Sequence, residues 1–377
     1  MNIEIGKKIE QKEGFFALIP NPFPPKEIFE IPQSILLKTA NADRLIGKLD
    51  GITHTLPDVD FFLRMFVAKD ATSSAQIEGT KATIIEAIER DAGIDSKKTD
   101  ADDILYYVRA LNYGVSRLKD FPLSLRLIRE IHSELMTGAR ATHFSDPGEF
   151  RKSQNWIGGT RPSNAHFVPP PVDDMHRALG DLEKFLYEEK KVLPLLHIGI
   201  MHAQFETIHP FLDGNGRTGR LFITLLLCHR NLLERPVLFL SSFFKQHQKV
   251  YYQKLDDYHN GDVESWVNFF LDGVIEIAEE SIEISRKIRE LRDTDMAKIQ
   301  ALAKRESESG VLLLSNLFGL PIVNTKKVMN WTGFTRAGAQ KAIDRFISLG
   351  ILDSREEKGT YDRTYVYRHY LDIFMAE

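Results

Sequence analysis

The sequence predicts a mainly α-helical fold with a short β-hairpin flap and a C-terminal winged-helix domain. Over most of the chain apolar residues recur at spacings of three and four, which places them on one face of a helix. The pattern breaks at residues 148–171, where glycines separate short aromatic and β-branched pieces. It changes again after residue 324, where two short helical segments precede two strand-like segments. These three observations define the fold class.

The first region, residues 1–110, is predicted to start as an irregular arm and to continue as helices. Five prolines between Pro20 and Pro32 interrupt any regular pattern within residues 1–40. From residue 35 to residue 91 the pattern is helical, and Gly93 suits the end of that stretch.

The second region, residues 111–280, is predicted to form the core. Residues 120–124 are typical of a helix start, and apolar residues on one helix face follow at Leu125, Ile128, Ile131 and Leu135. Residues 148–171, which we call the flap, carry Gly158 and Gly159 between two short extended pieces. The helical pattern then runs from residue 172 to about 302, interrupted by a glycine-rich loop at 213–219.

The third region, residues 281–377, is predicted to hold a linker helix and the winged helix. A charged helix over about 278–305 leads into helices at 325–331 and 336–349, which are separated by a turn at Gly333. Two predicted strands follow, at 351–352 and 364–367, and a charged tip at 355–359 joins them.

Composition favours a soluble, cytoplasmic protein without a membrane span. The chain has 377 residues, 27% of them charged, and a net charge of -4, which gives no overall attraction to nucleic acid or anionic lipid. Its single cysteine, Cys228, excludes an internal disulfide. The most apolar stretch, at 221–228, is too short to cross a bilayer.

Residues 209–220, HPFLDGNGRTGR, concentrate groups that suit phosphate chemistry. Three glycines before an apolar helical pattern let backbone N–H groups approach an anion at the start of a helix. Arg217 and Arg220 lie three residues apart, so both can reach the same anion. Asp213 is a hard oxygen ligand for Mg²⁺, and His209 can accept a proton near neutral pH.

Residues 209–220 resemble the signature HPFx(D/E)GNGRxxR of the Fic family of protein adenylyltransferases at every defined position. The similarity extends to GEFR at 148–151 and WIGG at 156–159, and it covers roughly residues 10–280. It implies a Fic-type helical core and transfer of AMP from ATP to a Ser, Thr or Tyr hydroxyl of a target protein, this chain itself included.

The resemblance also implies a role for each site residue. His209 would be the general base, and Asp213 would hold Mg²⁺ against the phosphates of ATP. Trp156, Ile157, Gly158 and Gly159 of the flap would dock the target. The nucleotide would be bound by Gly214, Asn215, Gly216, Arg217, Thr218, Gly219, Arg220, Gln246, His247 and Tyr251.

A second motif, SAQIEG at 74–79, resembles the inhibitory helix of the same family. Ser74 and Glu78 lie four residues apart, on one helix face, and Gly79 suits the end of that helix. The resemblance implies that Glu78 pairs with Arg220 and so blocks the site of the γ-phosphate, because a carboxylate competes with phosphate for one guanidinium group.

Two alternatives remain open from the sequence. His202, Glu206 and His209 have a spacing at which they could hold a metal ion in a hydrolase. The winged helix could make the chain a DNA-binding transcription regulator, with Arg336, Lys341 and Arg345 on its recognition helix. The sequence does not specify the target protein, removal of AMP, the preferred nucleotide, or whether the chain forms a homodimer.

Overall fold

The computed structural model describes residues 3–24, 30–54, 59–94, 100–138, 146–188, 192–355 and 363–375, without the side chains of 60–62. The described residues are mainly helical, with two small antiparallel sheets, so the predicted fold class is confirmed. Within these ranges, no helix is both long and apolar enough to cross a membrane. Pro25 of the predicted arm and residues 356–359 of the predicted charged tip lie outside the described residues.

The N-terminal segment is a β-hairpin, and the prediction of an irregular arm was wrong. Strands β1 (Gly6–Glu10) and β2 (Phe16–Pro20) pair antiparallel. The N–H of Leu18 donates to the carbonyl of Val168, 3.0 Å away, so the hairpin is tied to the end of the flap. Only Pro20 lies in a strand, at the very end of β2, and the other four prolines follow it in the sequence, so the prolines do not prevent pairing.

Four helices follow: α1 (Gln33–Thr53), α2 (Val59–Ile77), α3 (Ile84–Asp91) and α4 (Ala101–Arg117). The predicted helical stretch 35–91 is thus three separate helices. Thr83 and Glu86 form a reciprocal capping box that starts α3. Helix α2 packs against both α3 and α4.

The middle of the chain supplies helices α5 (Leu125–Met136), α6 (Val172–Leu186), α7 (Pro194–Ile208) and α8 (Asn215–His229). Ser124 caps α5, as the predicted helix start requires. Every residue of α7 from Leu195 to Ile208 is buried, so this helix forms the centre of the core. Helix α8 begins at Asn215, so residues 215–219 belong to a helix and not to the predicted loop.

The next helices are α9 (Ser241–Gln246), α10 (Gln248–His259) and α11 (Val263–Gln300). The predicted linker helix is the second half of α11. The predicted region boundaries at 110/111 and 280/281 fall inside α4 and α11, and those boundaries stay a prediction.

The C-terminal part contains four helices and three strands. They are α12 (Lys304–Gly319), β3 (Ile322–Asn324), α13 (Thr325–Thr332), α14 (Arg336–Ser348), β4 (Asp353–Arg355), β5 (Thr364–Val366) and α15 (Arg368–Met375). The strand order is β3-β5-β4. Phe374 packs edge-on against Phe66 of α2, with ring centroids 5.3 Å apart. Classification of this part as a winged helix stays a prediction.

Candidate active site

His209 ends α7 in a conformation that presents its side chain to a pocket. Its backbone is left-handed, with φ 49° and ψ 61°, which is uncommon for a residue other than glycine. Pro210 follows, and a residue before proline is disfavoured in the helical region, so the chain leaves α7 here. The imidazole is 17% exposed, and burial together with the charge of Arg151 lowers its pKa to about 4. His209 is therefore a neutral base at neutral pH.

The start of α8 faces the same pocket. Gly214 takes a left-handed conformation at φ 77° and caps the helix, where a side chain would be strained. The first backbone N–H groups of α8 have no acceptor within the helix and carry the positive end of its dipole. The side chain of Asn215 both accepts from the N–H and donates to the carbonyl of Phe211, each at 2.8 Å. Asn215 thus holds the loop in shape.

A carboxylate just after the end of α2 already lies at this helix start. Oε1 of Glu78 accepts a hydrogen bond from Nη2 of Arg220 at 2.7 Å, so the predicted contact is present. A Cβ on Gly216 would lie 2.4 Å from the same oxygen. Glycine at position 216 therefore makes room for an anion against the first turn of α8. Burial opposes ionisation of Glu78, but the charge and hydrogen bond of Arg220 outweigh it and lower the pKa of Glu78.

Ser74 completes the contact between α2 and Arg220. Nε of Arg220 donates to Oγ of Ser74 at 2.9 Å, and Nη2 donates to the Ser74 carbonyl at 3.1 Å. Arg220 is only 3% exposed, whereas Glu78 is 40% exposed. Gly79 follows with φ 92°, outside the pocket lining. Glu78 is therefore the more solvent-accessible partner of the pair, whereas Ser74 holds the buried guanidinium.

Buried side chains from the flap and from α5 hold the loop between α7 and α8. Nε of Arg151 and Nδ2 of Asn155 both donate to the carbonyl of His209, at 3.0 and 3.1 Å. Nδ1 of His132 accepts from the N–H of Gly148 at 2.9 Å, so Nε2 of His132 donates to the carbonyl of Asp213 at 2.9 Å. These contacts make the position of the loop depend on residues at least 54 positions away in the chain.

The pocket has a volume of about 740 Å³ and gathers most of the predicted residues. From the prediction it is lined by Glu78, Trp156, Ile157, Gly158, His209, Asp213, Gly214, Asn215, Gly216, Arg220 and Tyr251. The flap reaches it through one bridge between Ile157 and Phe167, and Trp156 is 39% exposed. One pocket therefore joins the proton acceptor, the anion-binding helix start and the flap.

Other predicted residues do not line this pocket. Nη2 of Arg217 lies 3.6 Å from Oδ2 of Asp213. Within the described residues, Nε of Arg217 has no hydrogen-bond partner. Thr218 and Gly219 face the core, and Gly159 lies at the turn of the flap. Two further predicted nucleotide contacts do not line the pocket either: Gln246 lines a different cavity, and His247 packs on Phe243.

Several pocket residues were not assigned from the sequence. Tyr252, next to the predicted Tyr251, lines the pocket and is 45% exposed, whereas Tyr251 is 1% exposed. His259 stacks on Phe167 of the flap, with ring centroids 4.1 Å apart. Oδ2 of Asp256 lies 2.7 Å from Nε2 of His166 in the flap. These residues repeat every three to four positions along α10, a helical spacing that could have indicated a shared face.

The structure argues against the metal-hydrolase alternative. His202 is fully buried, with Nδ1 3.0 Å from the carbonyl of Gly219 and Nε2 2.8 Å from the hydroxyl of Tyr251. Both nitrogens are therefore engaged within the core. In the described part of the chain, no group of three or more His, Cys, Asp or Glu residues is arranged to hold a metal ion.

We expect the stability of the protein to fall as the pH is lowered from about 6.5 to about 4. Burial lowers the pKa of His132 and His197 to about 4 and that of His202 to about 3. Glu206, whose pKa burial raises to about 7, acts in the opposite direction, but these three histidines together with His209 outnumber it. The unfolded chain therefore binds more protons than the folded chain in this range, so the free energy of unfolding decreases with falling pH. Urea unfolding at about pH 7 and about pH 5 measures this.

The expected result is a lower urea midpoint at the lower pH. An equal or higher midpoint at about pH 5 would contradict the prediction.

The fold is that of Fic proteins of known structure. A crystal structure of a Fic family protein from Desulfovibrio desulfuricans G20 matches with a TM-score of 0.56 at 20% identity, over 91% of this chain and 98% of that one. A Fic domain containing signaling protein from Bacteroides thetaiotaomicron matches with a TM-score of 0.54 at 20% identity, over 65% of this chain and 97% of that one.

The chain belongs to the Fic/DOC family. Residues 122–227 match the Fic/DOC family profile, and residues 36–116 match the Fic/DOC family N-terminal profile. Protein adenylyltransferase Fic of Aedes aegypti is 31% identical over 53% of this chain, and that of Drosophila grimshawi is 28% identical over 63%. The aligned part of the chain spans only 38% and 46% of the length of these two relatives.

Proposed function

We propose that this protein is an adenylyltransferase that transfers AMP from ATP to a hydroxyl side chain of a target protein. One observation carries the proposal: His209 lies in the same pocket as a helix start that already accommodates a carboxylate. An anion-binding site next to a neutral base is what nucleotidyl transfer to a hydroxyl group needs. The names of the curated relatives agree with this chemistry.

In the proposed reaction the hydroxyl oxygen of the target attacks the α-phosphorus of ATP. The bond from the α-phosphorus to the oxygen of the β-phosphate breaks, and pyrophosphate leaves. The proton of the hydroxyl goes to His209. The N–H groups at the start of α8 and the guanidinium of Arg220 would bind the negatively charged phosphates. The ring of Tyr252 would stack on the adenine of ATP.

Asp213 fits a role as ligand of Mg²⁺. Its carboxylate is 44% exposed at the pocket, and Mg²⁺ typically uses one or two carboxylates together with substrate phosphates. When bound, the metal neutralises phosphate charge. Oδ1 of Asp213 also accepts from the N–H of Gly214 at 2.7 Å, so the residue supports the loop as well.

The target would bind along the flap. Trp156 and Ile157 are exposed there at 39% and 37%, beside the bridge between Ile157 and Phe167, and we propose that an extended target segment adds to the flap as a further strand. The hydroxyl of such a segment would then face His209 across the pocket.

Radiolabelled ATP tests the proposal directly. With Mg²⁺ present, label in the α-phosphate should appear on protein, in the chain itself or in a lysate, whereas label in the γ-phosphate should not. Mass spectrometry then identifies the modified hydroxyl. Transfer from the γ-position would indicate a kinase, and no transfer by either wild type or Glu78→Gly would contradict the proposed function.

We expect Asp213→Asn to abolish Mg²⁺-dependent activity and the preference for MgATP over free ATP. The asparagine carbonyl can still accept from the N–H of Gly214, so this variant separates loop support from metal binding. Calorimetry with ATP in the presence and absence of Mg²⁺ measures the preference, and Asp213→Ala shows the added cost of losing the loop contact. Identical Mg²⁺ dependence in Asp213→Asn and wild type would exclude the metal role.

The DNA-binding alternative gains no support and is not proposed. The relatives and structures reported above are named as adenylyltransferases or Fic proteins. Arg345, predicted for the recognition helix, forms an ion pair with Glu306 of α12, while Arg336 and Lys341 are exposed.

A further inference from the structure

Glu206 of α7 is a buried carboxyl group three residues before His209. Its side chain is 8% exposed, and its Oε1 has no hydrogen-bond partner among the described residues. It lies against the start of α8, where a Cβ on Gly219 would approach Oε1 to 2.4 Å. Glycine at 219 therefore creates the space that the carboxyl group fills. A buried oxygen without a partner is costly, which raises the question of what this carboxyl group does.

Glu206 faces the ring of His209. Oε2 of Glu206 lies 3.8 Å from Nδ1 of His209. Nδ1 is buried, has no partner at hydrogen-bond distance in the part of the chain that the structure describes, and also faces the backbone of Glu206. A hydrogen bond between Oε2 and Nδ1 needs a distance of about 3.2 Å or less, so the two atoms must approach each other slightly. The other ring nitrogen, Nε2, is then the one available to a substrate in the pocket.

Charged groups on neighbouring elements surround this pair. Burial raises the pKa of Glu206 to about 7, the charge of Arg220 on α8 opposes this, and the charge of Glu78 after α2 adds to it. His209 is faced by Arg151 of the flap and His259 of α10 as well as by Glu78. Glu206 therefore changes its charge near neutral pH.

We propose that Glu206 is the positioning residue of the active site, whose carboxylate accepts a hydrogen bond from Nδ1–H of His209 and leaves Nε2 free to take the proton of the target hydroxyl. When Glu206 is protonated, its hydroxyl donates to Nδ1 instead, and the ring proton resides on Nε2. In that tautomer His209 cannot act as the base. The catalytic part of this inference rests on the proposed function, whereas the contact itself does not.

Nitrogen NMR of the His209 ring tests the contact without any activity assay. In protein labelled with ¹⁵N-histidine, with the His209 signals assigned by their loss in His209→Asn, the tautomer should change from Nε2–H to Nδ1–H as the pH rises through about 7 in the wild type. In Glu206→Gln, which keeps the size of the side chain, this change should disappear. A pH-independent tautomer in the wild type would overturn the proposal, even if Glu206→Gln failed to fold.

Kinetics of AMP transfer provide the second arm. Glu206→Gln should lower kcat by about 10²-fold. KM for ATP should change less than about twofold, because binding of the nucleotide does not depend on the tautomer of His209. In the wild type, kcat should rise as the pH increases through about 7, because Glu206 becomes charged there. Glu206→Gln should lose this rise. Asp70→Asn is the matched control, because Asp70 is another buried carboxyl near Arg220 but is bound to Tyr107 and Ser241 instead of facing His209.

The outcomes separate the two hypotheses. A tautomer change in the wild type, together with no AMP transfer by either the wild type or Glu78→Gly, would leave the contact valid and refute the proposed function. AMP transfer with unchanged kcat and unchanged pH profile in Glu206→Gln would refute the role of Glu206. A loss of the tautomer change in Asp70→Asn equal to that in Glu206→Gln would also count against Glu206, since any buried charge would then have the same effect.

Discussion

His209→Asn is expected to reduce AMP transfer by about 10²- to 10⁴-fold while ATP binding is retained. His209 lines the pocket beside the helix start that would hold the phosphates, whereas the guanidinium of Arg220 is bound to Ser74 and Glu78. Removing it should therefore remove proton transfer and leave the anion site intact. Labelled AMP transfer and calorimetric ATP affinity are the two measurements.

The choice of asparagine controls for the backbone. His209 has φ 49°, a conformation that asparagine adopts more readily than alanine. His209→Ala should therefore lose the same activity and also some stability, by about 1 kcal/mol. Transfer by His209→Asn at a rate near that of the wild type would show that His209 is not the base. A parallel loss of ATP affinity would show that it binds nucleotide instead.

Glu78→Gly is expected to increase AMP transfer by about 10- to 100-fold at limiting ATP. A hydrogen bond between charged groups contributes about 1.5–3 kcal/mol, and every 1.4 kcal/mol corresponds to a factor of ten. In the structure the carboxylate of Glu78 is 2.7 Å from Arg220 and occupies the start of α8, where phosphate would bind. Initial rates over a range of ATP concentrations measure the effect.

Two further variants separate the charge of Glu78 from its size. Glu78→Gln keeps the shape and removes the charge, so an increase smaller than that of Glu78→Gly would show that both matter. The double variant Glu78→Gly, Arg220→Ala should lose the gain, because the two residues act through one contact. Equal rates for wild type and Glu78→Gly at every ATP concentration would exclude inhibition by Glu78.

The same variant should change stability. Arg220 is 3% exposed and keeps its bonds to Ser74, but without Glu78 its charge is no longer neutralised. Glu78→Gly should therefore have a lower Tm than wild type in the absence of ligand. MgATP should restore much of the difference, because a ligand that binds only the folded state stabilises it. Thermal unfolding with and without MgATP tests this.

The sequence predicted best those features that depend on neighbouring residues. Ser124 starts α5 through a side-chain cap, and the spacing of apolar residues identifies the helices around it. It failed at the N-terminus, where the hairpin of β1 and β2 is stabilised in part by a hydrogen bond to Val168, which no local pattern predicts. It also placed residues 215–219 in a loop, because glycine is a poor helix former, yet the first turn of α8 uses glycine to leave room for Glu78 and Glu206.

The sequence by itself determined which chemical groups of residues 209–220 lie close together, because a helix end, a short turn and a helix start keep contiguous residues near one another in space. Only the tertiary structure decided how that loop is held and controlled. Glu78 reaches Arg220 across 142 positions, Arg151 reaches His209 across 58, and His132 reaches Asp213 across 81. Such contacts depend on the packing of α2, the flap and α5 around α7 and α8. The burial that packing produces also shifts the pKa of Glu206 and His209, which no local spacing can reveal.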